Sequence, residues 1–127
     1  MKEKEIYDKL NGFITNNNYK IIKTEEKYCE MEATITETSL NPYKMPHGGF
    51  IFGLADTAAG IAAFTTKKEA VTVNASIDYL HSAKGNKLKA IAKNIKDGKN
   101  ITVYEVFIYD ENETLVAKSS ITYFYIN

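Results

Sequence analysis

The sequence contains no arginine: all sixteen of its strongly basic side chains are lysines, and sixteen Asp and Glu residues balance them to a net charge of zero. Without the planar guanidinium fork, a phosphate or carboxylate would be met by lysine point charges or by backbone N–H groups. A balanced charge gives no electrostatic support for binding nucleic acid or an acidic membrane. The composition therefore predicts neither of these partners.

Cysteine is almost absent as well. The single Cys29 cannot form an internal disulfide, and no Cys/His spacing typical of zinc is present. The charged residues 1–7 lack the apolar core of a signal peptide. Asp56 interrupts the longest uncharged run, and a carboxylate at that place disfavours a membrane span. We therefore expect a cytoplasmic protein without a bound metal, with residues 1–127 forming a single domain.

Hydrophobic periodicity predicts the secondary structure. Apolar residues at helical spacing between 3 and 15 predict an amphipathic helix within residues 1–17, and alternation over 19–38 predicts one strand with one apolar face. Residues 47–66, rich in Gly, Ala and Phe, predict a central helix that is apolar nearly all round, buried and about 28 Å long at 1.5 Å per residue. Further strands are predicted at 71–79, 87–93, 101–109 and 115–126, with a hairpin turn at Asp97-Gly98. This order favours an α+β fold in which an antiparallel sheet wraps around the long helix.

Asp56 is the most unexpected residue of the central helix. It is the only charged residue between Lys44 and Lys67. Because a buried, unpaired carboxylate is costly, Asp56 must be paired, hydrogen-bonded, protonated or exposed at a cleft or subunit interface. A catalytic carboxylate and a structural aspartate bonded to a neighbouring backbone N–H both remain open.

The triplet His47-Gly48-Gly49 opens the same helix. Its backbone N–H groups and the positive end of the helix dipole form a ready site for an oxyanion or a polarised carbonyl, although a tight turn would use the same residues. His47 could be a general base or could fix the loop through hydrogen bonds. Asp56 follows Gly48 by eight residues, about 12 Å along the axis, so one helix cannot bring both groups to one carbonyl. Two helices of an antiparallel dimer can, and this spacing predicts an interfacial site.

Asn41, His47-Gly48-Gly49 and Leu54-Ala55-Asp56, followed by the strand at 71–80, together resemble the signature of hotdog-fold acyl-CoA thioesterases of the phenylacetate-degradation (PaaI-like) type. The similarity covers about residues 30–126 of the chain. It implies an α+β hotdog fold and hydrolysis of an acyl or aryl-acyl thioester to the free acid and CoA. It also implies no cofactor, with coenzyme A entering as part of the substrate, and a homodimer or a dimer of dimers.

The resemblance also implies roles for individual residues. Asp56 would act as general base or nucleophile, and the Gly48 backbone N–H of the other subunit would polarise the thioester carbonyl. Asn41, again from the other subunit, would orient the substrate or the water, and the Thr72 hydroxyl would assist. Further candidates for substrate binding are His47, Gly49, Thr57, His81, Ser82 and Lys84. Because Gly60 stands where some hotdog thioesterases carry a hydroxyl residue, water positioning would rest on Thr72 or Thr57.

Two alternatives use the same fold. One is a non-catalytic acyl-CoA-binding or sensor protein, which would bind the thioester without consuming it. The other is a hotdog dehydratase, which would need a histidine shortly after Asp56 on the same helix, but the next histidine is His81. A thiol-release assay with a panel of thioesters separates the thioesterase from the binding protein.

Overall fold

A computed structural model describes residues 12–126 of the chain. Within this range the structure contains two α-helices, one short 3₁₀ turn at Glu37–Ser39 and six strands. The elements are α1 (Phe13–Asn16), β1 (Tyr19–Glu25), β2 (Tyr28–Thr34), α2 (Gly48–Phe64), β3 (Ala70–Tyr79), β4 (Lys87–Asp97), β5 (Ile101–Asp110) and β6 (Leu115–Tyr125). Most of the predicted N-terminal helix, up to residue 11, lies outside the described residues.

The six strands form one antiparallel sheet in the order β1-β2-β4-β5-β6-β3. Helix α2 packs against all six strands, and its side chains together with the inner face of the sheet form the apolar core. The predicted α+β architecture, a sheet wrapped around one long helix, is therefore confirmed. None of the helices within residues 12–126 has the length and apolar content needed to cross a bilayer.

The prediction of a single strand over 19–38 is wrong. The chain folds back at Glu26-Lys27, and β1 and β2 pair as an antiparallel hairpin from Tyr19 opposite Ala33 to Glu25 opposite Tyr28. Lys27 takes a left-handed backbone conformation with φ of 58°. Such a conformation is usual for glycine or asparagine and rare for lysine, so the sequence carried no turn signal at this position.

Small residues let the sheet lie close to α2. Ala55, Ala58, Ala59 and Ala62 are fully buried, and a Cβ on Gly53 would stand only 2.7 Å from the Tyr19 hydroxyl oxygen. One stripe of the helix, comprising Asp56, Thr57, Gly60 and Phe64, remains partly exposed. The helix is therefore not buried all round as predicted, and the open stripe carries its only carboxylate.

Strand β3 forms one edge of the sheet, and most of its residues are exposed. Its pairing with β6 shifts register between Thr72 and Asn74, so that Val73 forms a bulge. Bulges redirect neighbouring side chains and are common beside active sites. This bulge lies directly beside Thr72.

Candidate active site

The Asp56 carboxylate is held by hydroxyl groups and not by a cation. Its Oδ1 accepts hydrogen bonds from Thr72 Oγ1 at 3.0 Å and from the Tyr123 hydroxyl at 2.8 Å. The Tyr123 hydroxyl also donates to the Asp56 backbone carbonyl at 2.8 Å, so one proton is shared between two oxygens of the same residue. Within residues 12–126 no lysine lies at ion-pair distance from Asp56, and no hydrogen bond is made by Oδ2.

The sheet brings the two donors together. Thr72 on β3 and Tyr123 on β6 are directly opposite each other in the strand register, so their side chains project from the same face of the sheet. Burial, and secondarily the charge of Asp56, raise the pKa of Tyr123 well above its ordinary value. The Tyr123 hydroxyl therefore remains a protonated donor throughout the physiological pH range.

A cavity of about 510 Å³ opens beside this carboxylate. The polar and charged residues of its wall are Asp56, Thr57, Lys68, Glu69, Thr72 and Tyr123. The remaining wall is mainly apolar and includes Phe13, Ile14, Gly60, Phe64, Ala70 and Ile126. A concave, mostly apolar pocket with a few converging polar groups is the usual form of a small-molecule site.

A second cavity, of about 460 Å³, lies at the beginning of α2. Gly48, the first residue of the helix, lines it together with Asn41 and Tyr79. The Gly48 carbonyl accepts a hydrogen bond from the Tyr79 hydroxyl at 2.8 Å. The Gly48 N–H has no hydrogen-bond acceptor among the described residues, as expected for a donor in the first turn of a helix.

His47 caps the helix. Its Nδ1 accepts a hydrogen bond from the Gly49 N–H at 2.8 Å, which requires that Nδ1 carries no proton. Of the two roles left open for His47, this contact supports the one that fixes the loop. The same contact occupies the Gly49 N–H, so Gly48 offers the only free donor of the Gly-Gly pair within the described residues.

The loop residues of the second cavity are also fixed by local contacts. Asn41 Oδ1 accepts from the backbone N–H groups of Tyr43 at 2.9 Å and Met45 at 3.1 Å. Its amide NH₂ has no acceptor within residues 12–126, so it is available to a ligand. His81 and Ser82 line the same cavity, with His81 Nδ1 3.0 Å from the Ser82 carbonyl oxygen.

The ten residues predicted from the sequence therefore divide into three groups. Asp56, Thr57 and Thr72 line the first cavity, and Asn41, Gly48, His81 and Ser82 line the second. His47, Gly49 and Lys84 line neither, and the Lys84 backbone N–H donates to Asp110 Oδ2 at 2.9 Å.

Sequence reasoning missed Tyr123, which makes two contacts with Asp56. A signal was present, because alternation along β6 places Tyr123 on the buried face and a buried tyrosine hydroxyl needs a partner. The pattern did not show which of the buried acceptors that partner would be.

An antiparallel sheet wrapped around one long helix defines the class as a hotdog-fold protein. The model of the Thioesterase superfamily matches residues 43–117, more than half of the sequence. The chain belongs to this superfamily and is a PaaI-like thioester hydrolase.

Among its relatives, the acyl-coenzyme A thioesterase PaaI of Escherichia coli is 34% identical over 98 residues, which cover 76% of this chain and 70% of the relative. The structure of Escherichia coli PaaI matches with a TM-score of 0.89 at 28% identity, over 94% of this chain and 88% of the other. The Streptococcus mutans protein smu.793, bound to acetyl CoA, matches with a TM-score of 0.83 at 31% identity, over 87% and 90% of the two chains.

Proposed function

We propose that this thioester hydrolase acts on acyl-CoA, releasing the free acid and CoA. The names of its relatives support this substrate class, since PaaI of Escherichia coli is an acyl-coenzyme A thioesterase and the Streptococcus mutans structure holds acetyl CoA. The observation that carries the proposal is the Asp56 carboxylate: two hydroxyls hold Oδ1, whereas Oδ2 is unbonded within the described residues beside a mostly apolar cavity.

Two reaction courses use this carboxylate. As a general base, Asp56 takes a proton from water while the water oxygen adds to the thioester carbonyl. The tetrahedral intermediate then expels the CoA thiolate, which takes up a proton. As a nucleophile, a carboxylate oxygen adds to the carbonyl and expels the thiolate, and water hydrolyses the resulting anhydride. In both courses negative charge develops on the carbonyl oxygen and needs a donor.

The Gly48 N–H is the proposed donor, supplied by a second copy of the chain. Eight residues of helix separate Gly48 from Asp56, about 12 Å along the axis, and the two residues line different cavities. Within one chain, the Gly48 N–H and the Asp56 carboxylate are therefore too far apart to act on the same carbonyl. An antiparallel pair of α2 helices would bring the partner's Gly48 to the Asp56 of the first subunit.

The exposed edge of the sheet supports such a pairing. Strand β3 is ten residues long and has no strand partner along one side within residues 12–126, and its Val71 and Val73 are 46% and 56% exposed. Lysine and proline commonly protect the edge strands of monomeric proteins, and β3 contains neither, although it has one charged residue, Asp78, and the bulge at Val73. We therefore propose that β3 pairs with its counterpart in a homodimer and that the acyl or aryl group lies in the apolar part of the first cavity.

The decisive experiment replaces Asp56 with asparagine, which keeps the shape and an acceptor oxygen but removes the base. We expect Asp56→Asn to lower kcat/KM for acyl-CoA by about 10²- to 10⁴-fold, the usual contribution of a general base. The measurement is thiol release from a panel of acyl- and aryl-CoA thioesters, with circular dichroism and gel filtration to check fold and assembly.

Glu105→Gln is the matched control, because it removes the same charge at a site on β5 where Glu105 pairs with Lys118 at 2.9 Å, outside both cavities. This control should keep the wild-type rate. Undiminished turnover in Asp56→Asn would refute the catalytic role of Asp56, and absence of thiol release from every CoA thioester by the wild type would refute the substrate class.

A further inference from the structure

We propose that Tyr123 is a positioning residue for the Asp56 carboxylate: its buried hydroxyl, with that of Thr72, occupies Oδ1 and leaves Oδ2 as the reacting oxygen. This inference rests on the proposed role of Asp56. It adds a residue that the sequence motif does not contain and that lies 67 positions further along the chain.

The contacts of Tyr123 and Thr72 hold one oxygen of the Asp56 carboxylate. The Tyr123 hydroxyl donates to the backbone carbonyl and to Oδ1 of Asp56, each at 2.8 Å. The Thr72 hydroxyl approaches the same oxygen at 3.0 Å. A carboxylate that is free to rotate exchanges its two oxygens, but two donors on one oxygen oppose that rotation. Oδ2 is then presented in one fixed orientation, as efficient proton transfer or nucleophilic attack requires.

Tyr123 is itself firmly held. Its side chain is only 3% exposed, and its ring packs edge-on against Tyr104 with the ring centres 6.2 Å apart. The strand register places it opposite Thr72 on one side and Thr102 on the other. A residue whose orientation is fixed by the core is suited to orient a second residue at the surface of a cavity.

The next turn of α2 carries no side chain that could donate to the Asp56 carboxylate in place of the Tyr123 hydroxyl. Position 60, four residues after Asp56 and on the same helix face, is glycine. A Cβ on Gly60 would lie 3.7 Å from the Tyr123 hydroxyl oxygen, so the tyrosine occupies the space that a side chain at position 60 would approach. Both hydroxyl groups that donate to the Asp56 carboxylate therefore belong to strands of the sheet, Thr72 to β3 and Tyr123 to β6.

The test is Tyr123→Phe, which removes one oxygen atom and keeps the packed ring. We expect kcat with a good acyl-CoA substrate to fall about 10- to 100-fold, the range for losing a hydrogen bond to a charged group, while KM changes less than about twofold. In an Asp56→Asn background the same change should cause no further loss, because the hydroxyl acts only through the carboxylate.

Tyr104→Phe is the matched control. Tyr104 is fully buried, packs against Tyr123 and has a hydroxyl without a hydrogen-bond partner among the described residues. Removal of the Tyr104 hydroxyl should leave kcat and KM unchanged. Wild-type kcat in a folded Tyr123→Phe variant, or a raised KM with unchanged kcat, would overturn the proposal.

Thr72→Val provides a second test that does not depend on the folding of a Tyr123 variant, since Thr72 lies on an exposed strand. With Tyr123 in place, we expect this variant to lose less kcat than Asp56→Asn. A loss as large as that of Asp56→Asn would show that Thr72 alone orients the carboxylate and would contradict a role for Tyr123. Full activity in Asp56→Asn would instead refute the proposed function itself.

Discussion

Three aspartates of this protein have different hydrogen-bond partners, and these partners distinguish Asp56 from two aspartates whose carboxylates are fully bonded. Asp97 pairs with Lys27 at 3.3 Å and accepts from the Tyr125 hydroxyl, which holds the pKa of Asp97 below its usual value. Asp110 accepts from backbone N–H groups on both of its oxygens. Only Asp56 combines a cavity with an oxygen that is unbonded within residues 12–126.

Gly48 permits an equally specific test of the oxyanion donor. It is the first residue of α2, where proline is tolerated, and His47 before it has φ of −62° and ψ of 141°, which suit a residue preceding proline. Gly48→Pro therefore removes the proposed N–H donor while the helix start is preserved. We expect kcat to fall about 10²- to 10³-fold, as for the loss of one oxyanion-hole donor.

Gly48→Ala is the control for this change. Both variants place a Cβ 3.1 Å from the Tyr79 hydroxyl oxygen, at the end of a half-exposed side chain that can move, but only the alanine variant keeps the N–H. Gly48→Ala should retain most of the turnover in the thiol-release assay. Equal losses in the two variants would mean that the added carbon, and not the donor, determines the effect.

The part of the candidate site that is local in sequence could be proposed from the sequence, and the rest could not. Asp56 stands out because one charge interrupts an apolar helix, and Gly48 because it opens that helix. Tyr123 does not stand out, because its role depends on β6 crossing the middle of α2. Alternation specifies which face a side chain occupies but not which residue it meets there.

At the scale of elements, prediction succeeded where turn chemistry accompanied periodicity. The Asp97-Gly98 turn between β4 and β5 was correctly located. The hairpin of β1 and β2 was missed because its turn places Lys27, with no glycine or proline nearby, in a left-handed conformation. Tertiary pairing imposes that conformation, and a single sequence gives no sign of it.

The loop after β3 depends on Asp110 at the end of β5. Asp110 Oδ2 accepts from the Lys84 N–H at 2.9 Å, and Oδ1 accepts from the N–H groups of Asn112 at 2.9 Å and Thr114 at 3.0 Å. These bonds, led by that from Lys84, lower the pKa of Asp110. We expect Asp110→Asn to raise KM for acyl-CoA with little change in kcat, because the loop also carries His81 and Ser82 of the second cavity.

The stability lost in the Asp110→Asn variant is expected to depend on pH. Since the folded-state pKa of Asp110 lies below the unfolded value of about 3.9, its contribution to stability is complete above that value and is lost as pH falls through the folded pKa. The difference in melting temperature between wild type and Asp110→Asn should therefore be largest near neutral pH and shrink below about pH 4. Glu113→Gln, at an exposed turn position, is the control, and a pH-independent difference for Asp110→Asn would contradict this account.

For the whole molecule, the proposed homodimer would account for both cavities. The first cavity contains the Asp56 carboxylate but not the Gly48 N–H, and the second contains the Gly48 N–H but no carboxylate. Strand β3 pairs along one side with β6, which carries Tyr123, and along its other side has no strand partner among the described residues. A twofold pairing at this edge would complete two equivalent sites, each built from one Asp56 and one partner Gly48.

Mixing two inactive variants tests this arrangement directly. In a mixed dimer of Asp56→Asn and Gly48→Pro chains, one site has both defects, whereas the other combines an intact Asp56 with an intact Gly48. Random exchange makes half of the dimers mixed, each with one working site, so co-expression should restore about a quarter of the wild-type activity. Co-expressing Asp56→Asn with Asp56→Ala should restore none, because neither site regains a carboxylate. If Asp56 and Gly48 of the same chain form the site, the first mixture will remain as inactive as its components, since every site then retains one of the two defects.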